Sequence, residues 1–114
     1  MINSNTNNIL SVLESYLLDN VDDISRQIAK DFRHRRVEKG LTREQVAERA
    51  GVALSNVARF EQKGLISLKN LIELALVLGY KAEIKGLFAN PKYSTMEELS
   101  QIRKNSGKTK AYKK

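Results

Sequence analysis

The chain has 114 residues, enough for one domain of ordinary size, and its 20 Lys and Arg residues against 13 Asp and Glu residues give a formal charge of +7. It contains no Cys and one His, which excludes a disulfide framework, a zinc finger, an iron–sulfur cluster and a multi-histidine metal centre, so we predict no cofactor and no metal. No apolar run reaches the roughly 18 residues of a membrane helix, and the first residues lack a signal-peptide pattern. We therefore expect a cytoplasmic protein with no membrane contact.

The charge is unevenly distributed along the chain. Residues 1–23 hold four acidic residues and no basic residue, whereas residues 103–114 hold six basic residues. A basic middle and a basic tail favour a polyanionic partner such as nucleic acid. A solvated surface with a solubilising tail explains the same charges, so charge alone leaves both interpretations open.

The first half of the chain has the apolar spacing of amphipathic helices. Residues 7–18 carry apolar side chains three and four residues apart and predict an N-terminal helix. A second helix is predicted to begin near Asp22 and Asp23, whose carboxylates favour the positive helix end, and to end at Gly40. Its predicted buried face consists of Ile24, Ile28 and Phe32.

Three more helices are predicted between residues 42 and 79. Thr42 with Gln45 forms a capping box that begins the first of them, and Gly51 ends it. The next helix carries Val57 and Phe60 inward and ends at Gly64. Ser67 begins the last helix, and Gly79 ends it. The residues predicted to face the core from this helix are Leu68, Leu71, Ile72, Ala75 and Leu78.

After Gly79 the apolar residues alternate. Tyr80, Ala82 and Ile84 have the two-residue period of a half-buried strand. A single strand needs a partner for its backbone, and the same strand in a second copy could supply one. We therefore predict that these three residues form the contact of a homodimer.

The C-terminal part is predicted to be a short helix followed by a tail. Ser94 and Glu97 fit a capping box before a helix that contains Met96, Leu99 and Ile102. From Asn105 the chain offers almost nothing to bury, which predicts disorder. The predicted divisions are an N-terminal extension (1–21), a helix-turn-helix domain (22–80), a strand with a short helix for dimerisation (81–104) and a disordered basic tail (105–114).

The stretch from Thr42 to Glu61 has helix-turn-helix spacing. A small Ala47 allows close helix crossing, Gly51 permits a positive φ, and Val52 and Val57 fill the angle between the helices. Here residues 24–80 resemble the Xre-type helix-turn-helix family, which includes lambdoid phage repressors, Cro proteins and many bacterial antitoxins. The residues that carry the resemblance are Phe32, Arg36, Gly40-Leu41-Thr42, Gln45, Val46, Ala47, Ala50-Gly51-Val52, Val57, Phe60-Glu61, Leu71, Ala75 and Leu78-Gly79.

The resemblance implies an all-α, lambda-repressor-like helical bundle, here with an extra N-terminal helix and a C-terminal strand and helix. It also implies that residues 54–62 form a recognition helix in the major groove of double-stranded DNA. Arg59 is then the best candidate for specificity, because its guanidinium can pair with guanine O6 and N7. The expected base-reading residues are Leu54, Ser55, Ala58 and Arg59. The expected phosphate-binding residues are Thr42, Arg43, Gln45, Asn56, Gln62 and Lys63.

Two further positions matter for the resemblance. Arg36 and Glu61 are expected to form a structural ion pair, although Arg36 holding a phosphate is an alternative. The family often has Ser or Thr at the N-cap of the recognition helix, whereas this chain has Ala53. The lost hydroxyl cap costs ~1 kcal/mol, and Ser55 or a DNA phosphate could satisfy the open amides instead.

Three functions remain in competition. The first is a homodimeric transcriptional regulator, a repressor that binds a palindromic operator. The second is an antitoxin that represses its own operon and neutralises a toxin protein. The third is a protein-interaction or RNA-binding module. No enzyme is predicted, because nothing assembles a nucleophile, a base and an oxyanion donor.

Overall fold

The computed structural model describes residues 9–13 and 19–108. Residues 9–13 are helical, whereas the rest of the predicted 7–18 helix and the end of the tail lie outside the described residues. No helix within the described ranges is long and apolar enough to cross a membrane. The helices that follow residue 19 are α1 (Val21–Glu38), α2 (Arg43–Ala50), α3 (Leu54–Lys63), α4 (Leu68–Leu78), α5 (Lys81–Lys85) and α6 (Met96–Asn105).

Side-chain caps explain where α1, α2 and α4 begin. Asn20 caps α1 and forms a reciprocal capping box with Asp23. Thr42 and Gln45 do the same for α2, as the sequence predicted. The Ser67 hydroxyl accepts a hydrogen bond from the Asn70 amide at the start of α4. Each cap satisfies an amide that has no partner within its own helix.

The core lies where α1 packs on α3, and where α2 packs on both α3 and α4. Phe32 of α1 and Phe60 of α3 meet in it with ring centroids 5.3 Å apart and a tilt of 53°, a favourable aromatic geometry. The buried apolar residues are Ala29, Phe32, Leu41, Val46, Ala47, Ala50, Val52, Val57, Phe60, Leu74 and Leu78. This core holds α3 rigidly against two other helices.

The predicted buried face of α1 is wrong for two of its three residues. Ile24 and Ile28 are 52% and 47% exposed, whereas Ala29 and Phe32 are buried. α3 packs against the side of α1 that carries Ala29, where a small side chain permits close approach. At the end of α3, a Cβ added to Gly64 would lie 3.0 Å from the Arg26 backbone nitrogen. The close helix crossing therefore decides which side of α1 is buried.

The predicted core face of α4 is correct at Leu78 and at Leu71, which packs against the core, but it includes the exposed Leu68 and omits Leu74. Leu74 is fully buried and Leu78 nearly so, but Leu68 is 65% exposed. Eight of the eleven residues of α4 are apolar, so several stripes around the helix could serve as its inner face. Packing against α2 selects the stripe that contains Leu74.

The predicted strand at Tyr80, Ala82 and Ile84 is wrong, because residues 81–85 form the helix α5. Ala, Glu and Lys dominate this segment and favour helices over strands. The Gly86 amide donates to the Ala82 carbonyl at 2.8 Å, so the helical backbone satisfies itself without a second copy. The strand-to-strand dimer contact is therefore lost with the strand.

The described residues group into two compact units that divide between Lys81 and Ala82. The second unit contains α6, which begins one residue later than the predicted capping box. Thr95 is the N-cap and its hydroxyl accepts from the Glu98 amide. Glu98 also accepts hydrogen bonds from the Ser94 amide and hydroxyl, both at 3.1 Å.

Candidate nucleic-acid interface

α2, the turn after it and α3 form the helix-turn-helix arrangement that the sequence predicted. Gly51 ends α2 in the left-handed region with φ 67°, a conformation that a residue with a Cβ adopts at a cost. The Val52 amide then donates to the Ala47 carbonyl at 3.0 Å, which closes the turn. Both Ala47 and Val52 are buried where the two helices approach each other.

α3 has one face in the core and one in solvent. Val57 and Phe60 are buried, whereas Leu54, Ser55 and Arg59 are exposed and Ala58 is partly exposed. The side chains expected to read bases therefore lie together on the outer face. A helix of this length and width fits the major groove of B-DNA.

The residues expected to hold phosphates fall into two groups. Asn56, Gln62 and Lys63 are exposed on α3. Thr42 and Gln45 are exposed at the start of α2 but bind each other, since the Thr42 amide donates to Gln45 Oε1 at 2.8 Å and the Gln45 amide to Thr42 Oγ1 at 3.0 Å. The side-chain donors that remain for a phosphate are the Thr42 hydroxyl and the Gln45 side-chain amide nitrogen.

The expected ion pair between Arg36 and Glu61 is present and joins α1 to the end of α3. Arg36 Nε and Nη2 donate to the two carboxylate oxygens at 2.6 and 2.8 Å. Arg36 Nη1 donates to the Leu41 carbonyl at 2.8 Å, so each nitrogen of this buried guanidinium has a partner. Such a bidentate pair fixes both helices in orientation.

Sequence reasoning missed a third member of this cluster. Arg43 Nε donates to Glu61 Oε1 at 3.0 Å, so the carboxylate lies between two guanidiniums. We call Arg36, Glu61 and Arg43 the Arg–Glu–Arg cluster. Arg43 and Glu61 are 18 positions apart along the chain, and the resemblance that implied the pair of Arg36 with Glu61 assigned Arg43 to a phosphate instead.

The ion pair shifts the pKa of Glu61 and of Arg36. Burial of Glu61 raises the pKa of its carboxyl, but hydrogen bonds from Arg36 and Arg43 lower it more, and the net pKa lies below the ordinary value of 4.5. The hydrogen bond to Glu61 raises the pKa of Arg36. The Glu61 carboxylate and the Arg36 guanidinium are therefore both charged at neutral pH.

The N-terminus of α3 has no side-chain cap. Ala53 occupies the N-cap position with extended backbone, φ −60° and ψ 138°, and makes no capping hydrogen bond. The Asn56 and Val57 amides donate to the Ala53 carbonyl, whereas the Leu54 and Ser55 amides have no partner among the described residues. Ser55, offered as a substitute cap, accepts no hydrogen bond from these amides within that part of the chain.

We expect Ala53→Ser to raise the free energy of unfolding by ~1 kcal/mol, because the serine hydroxyl can accept from an open α3 amide at an already suitable backbone geometry. Urea denaturation followed by circular dichroism measures this. Ala89→Ser, outside the helices, is the control and should change stability by less than about 0.5 kcal/mol. Equal stability of Ala53→Ser and the unmodified chain would contradict the prediction.

His34 is exposed on α1, and no group of metal-binding side chains occurs among the residues that the structure describes.

Residues 32–84 match the family model described as Helix-turn-helix. No curated protein and no solved structure gives a significant match to the chain. The matched residues begin within α1 and end within α5, and they include all of α2, α3 and α4.

Proposed function

Since residues 32–84 belong to the Xre-type helix-turn-helix family of DNA-binding domains, we propose that this chain is a sequence-specific regulator of transcription whose α3 reads the major groove. The observation that carries the proposal is the division of α3 into two faces. Val57 and Phe60 hold the helix in the core, and Ser55 and Arg59 remain free to touch base edges. The proposal assigns no catalytic activity to the chain and places its action in the cytoplasm.

Arg59 carries sequence discrimination in this proposal. It is exposed on α3 and forms no ion pair among the described residues, so its planar guanidinium is available for guanine O6 and N7. Ser55 donates or accepts at a neighbouring base edge or phosphate, and Leu54 offers apolar contact to a thymine methyl. Ala58 is small enough to let the helix approach the bases closely.

We further propose a homodimeric repressor that binds a palindromic operator. One short recognition helix touches few base pairs, and a two-fold repeat doubles the contacts and the specificity. The two copies of α3 would then enter successive major-groove faces ~34 Å apart.

A second candidate function is that of an antitoxin. The unit after Ala82 carries large apolar side chains in solvent, with Phe88 93% and Met96 75% exposed. A protein partner that covered these side chains would remove their apolar surface from water, which is favourable. A toxin-like reading frame beside the gene, with a stable complex between the two products, would favour this candidate. A Phe88→Ala chain that lost the complex but kept DNA binding would place the toxin on the second unit.

Selection of bound duplexes from a random pool tests DNA recognition directly. We expect one enriched sequence with two inverted half-sites; an unchanged pool would contradict the proposal and favour the protein-interaction or RNA-binding module.

On the selected duplex, Arg59→Ala should weaken binding by about 5- to 150-fold, equivalent to roughly 1–3 kcal/mol, because a bidentate contact to guanine is lost. Its affinity for a random duplex should change little. Arg26→Ala, which removes an exposed arginine from α1, is the matched control and should leave both affinities nearly unchanged. Equal losses on the two duplexes for Arg59→Ala would show that Arg59 holds a phosphate.

A further inference from the structure

The Arg–Glu–Arg cluster contains more positive than negative charge. The Glu61 side chain is 0% exposed and supplies one negative charge, whereas Arg36 and Arg43 supply two positive charges. Glu44 is exposed beside Arg43 and forms no ion pair with either arginine among the described residues. One guanidinium charge in the cluster is therefore not neutralised by a direct ion pair.

The surplus charge lies on the Arg43 side of the cluster. All three nitrogens of Arg36 donate to Glu61 or to the Leu41 carbonyl, and its side chain is 9% exposed. Arg43 uses only Nε, and its side chain is 33% exposed. Nη1 and Nη2 of Arg43 have no hydrogen-bond partner within the described residues.

We infer that Glu61 is a positioning residue, which holds the Nε edge of Arg43 so that Nη1 and Nη2 bind one phosphate of the DNA backbone as a pair. This inference rests on the proposed function. A guanidinium is planar and rigid, so fixing one edge also fixes the direction of the other. The rotamer entropy of Arg43 is lost on folding rather than on binding, which raises the affinity for the phosphate.

The Arg43→Lys variant distinguishes a phosphate contact made by a positioned guanidinium from simple attraction between opposite charges. Its ammonium is a single point donor, which pairs with the buried Glu61 carboxylate and leaves no second edge for a phosphate. Arg43→Lys keeps the net charge and substitutes a partly exposed side chain, so the domain remains folded. Arg43→Gln removes the charge as well.

The experiment measures affinity for a random-sequence duplex of about 25 base pairs between 50 and 200 mM salt. The slope of log affinity against log salt should fall in magnitude by about 0.9 in Arg43→Gln, the loss expected for one phosphate contact. Arg43→Lys should show nearly the same fall, with about tenfold weaker binding at low salt. Arg26→Gln is the matched control and should keep the slope of the unmodified chain.

Two results would overturn the inference. If Arg43→Lys keeps the unmodified slope and affinity, Arg43 acts as a point charge and Glu61 has no positioning role. If the unmodified chain binds no duplex at 50 mM salt, the proposed function fails together with the inference. Normal binding by the unmodified chain with an unaffected Arg43→Lys refutes the inference alone.

Glu61→Gln tests the positioning step itself. It keeps the Arg43 charge but should lower the magnitude of the salt slope as much as Arg43→Gln does. A chain that carries both Glu61→Gln and Arg43→Gln should show no larger fall in this slope than either single variant. The Nε–H resonance of Arg43 in the free protein gives a second readout that does not need this variant to fold. We expect slow exchange with solvent relative to Arg26 Nε–H, and equal exchange rates would contradict positioning.

Discussion

Glu61→Ala is expected to lower the free energy of unfolding by about 3–5 kcal/mol, the cost of removing one partner from a buried ion pair. The substitution leaves Arg36, which is 8% exposed, with only its hydrogen bond to the Leu41 carbonyl. It also brings two guanidiniums together without the carboxylate between them. Chemical denaturation at neutral pH measures the loss. This loss is a large fraction of the about 5–15 kcal/mol by which ordinary domains are stable.

Glu38→Ala is the matched control for this prediction. It also removes a glutamate from an ion pair, in which Arg35 Nη2 lies 3.1 Å from Glu38 Oε1. The side chains of this pair, however, are 45% and 62% exposed. A surface pair of this kind contributes about 0–1 kcal/mol. Similar losses in the two variants would mean that the Arg–Glu–Arg cluster is no more important for stability than a solvated pair.

The effect of Glu61→Ala should depend on pH. Because the folded pKa of Glu61 lies below its ordinary value of 4.5, the carboxylate stabilises the fold above pH 4.5, where it is charged in both states. That contribution is lost as pH falls from 4.5 through the lowered folded pKa. The difference in the free energy of unfolding between the unmodified chain and Glu61→Ala should therefore become smaller below pH 4.5. A constant difference from pH 7 down to 3 would contradict this assignment of the stabilising charge.

Phe60→Ala is expected to cost about 3–5 kcal/mol of unfolding free energy, since it removes a buried aromatic ring and leaves a cavity. Phe60 is 2% exposed and its ring packs on Phe32 of α1. The same residue anchors the inner face of α3, so the variant should also lose DNA binding at temperatures where it unfolds.

Phe88→Ala is the control for this loss, because it makes the same chemical change at a residue that is 93% exposed. Its expected effect is within about 0.5 kcal/mol. Thermal denaturation of the two variants beside the unmodified chain measures both. A cost below about 1 kcal/mol for Phe60→Ala would contradict the position of Phe60 in the core.

Much of the helix-turn-helix region follows from local sequence. The capping box of Thr42 and Gln45 begins α2, and left-handed glycines at positions 51, 64 and 79 end α2, α3 and α4. These signals act within a few residues of chain, so they can be interpreted before any packing is known. Periodicity likewise predicts that Val57 and Phe60 lie on one side of α3, and the structure buries both.

Local sequence does not decide the structure where the same residues fit both a helical and a strand period, or where several faces of one helix are apolar enough to be buried. Residues 81–85 alternate like a strand, but a helix needs no partner strand and their composition favours it. The inner stripe of α4 and the exposure of Ile24 and Ile28 depend on which helices pack against those surfaces.

The sequence by itself determined the helix boundaries of the helix-turn-helix region and its family, and the resemblance to that family implied the ion pair between Arg36 and Glu61. Caps, turn glycines and residues at characteristic offsets carry this information in short stretches of chain. Only the tertiary structure decided that Arg43 shares the Glu61 carboxylate, that α5 replaces a strand and that Leu74 rather than Leu68 is buried in the core. The physical reason is that ion-pair partners and buried faces are selected by which surfaces meet in space, and helix packing brings together residues that are far apart along the chain.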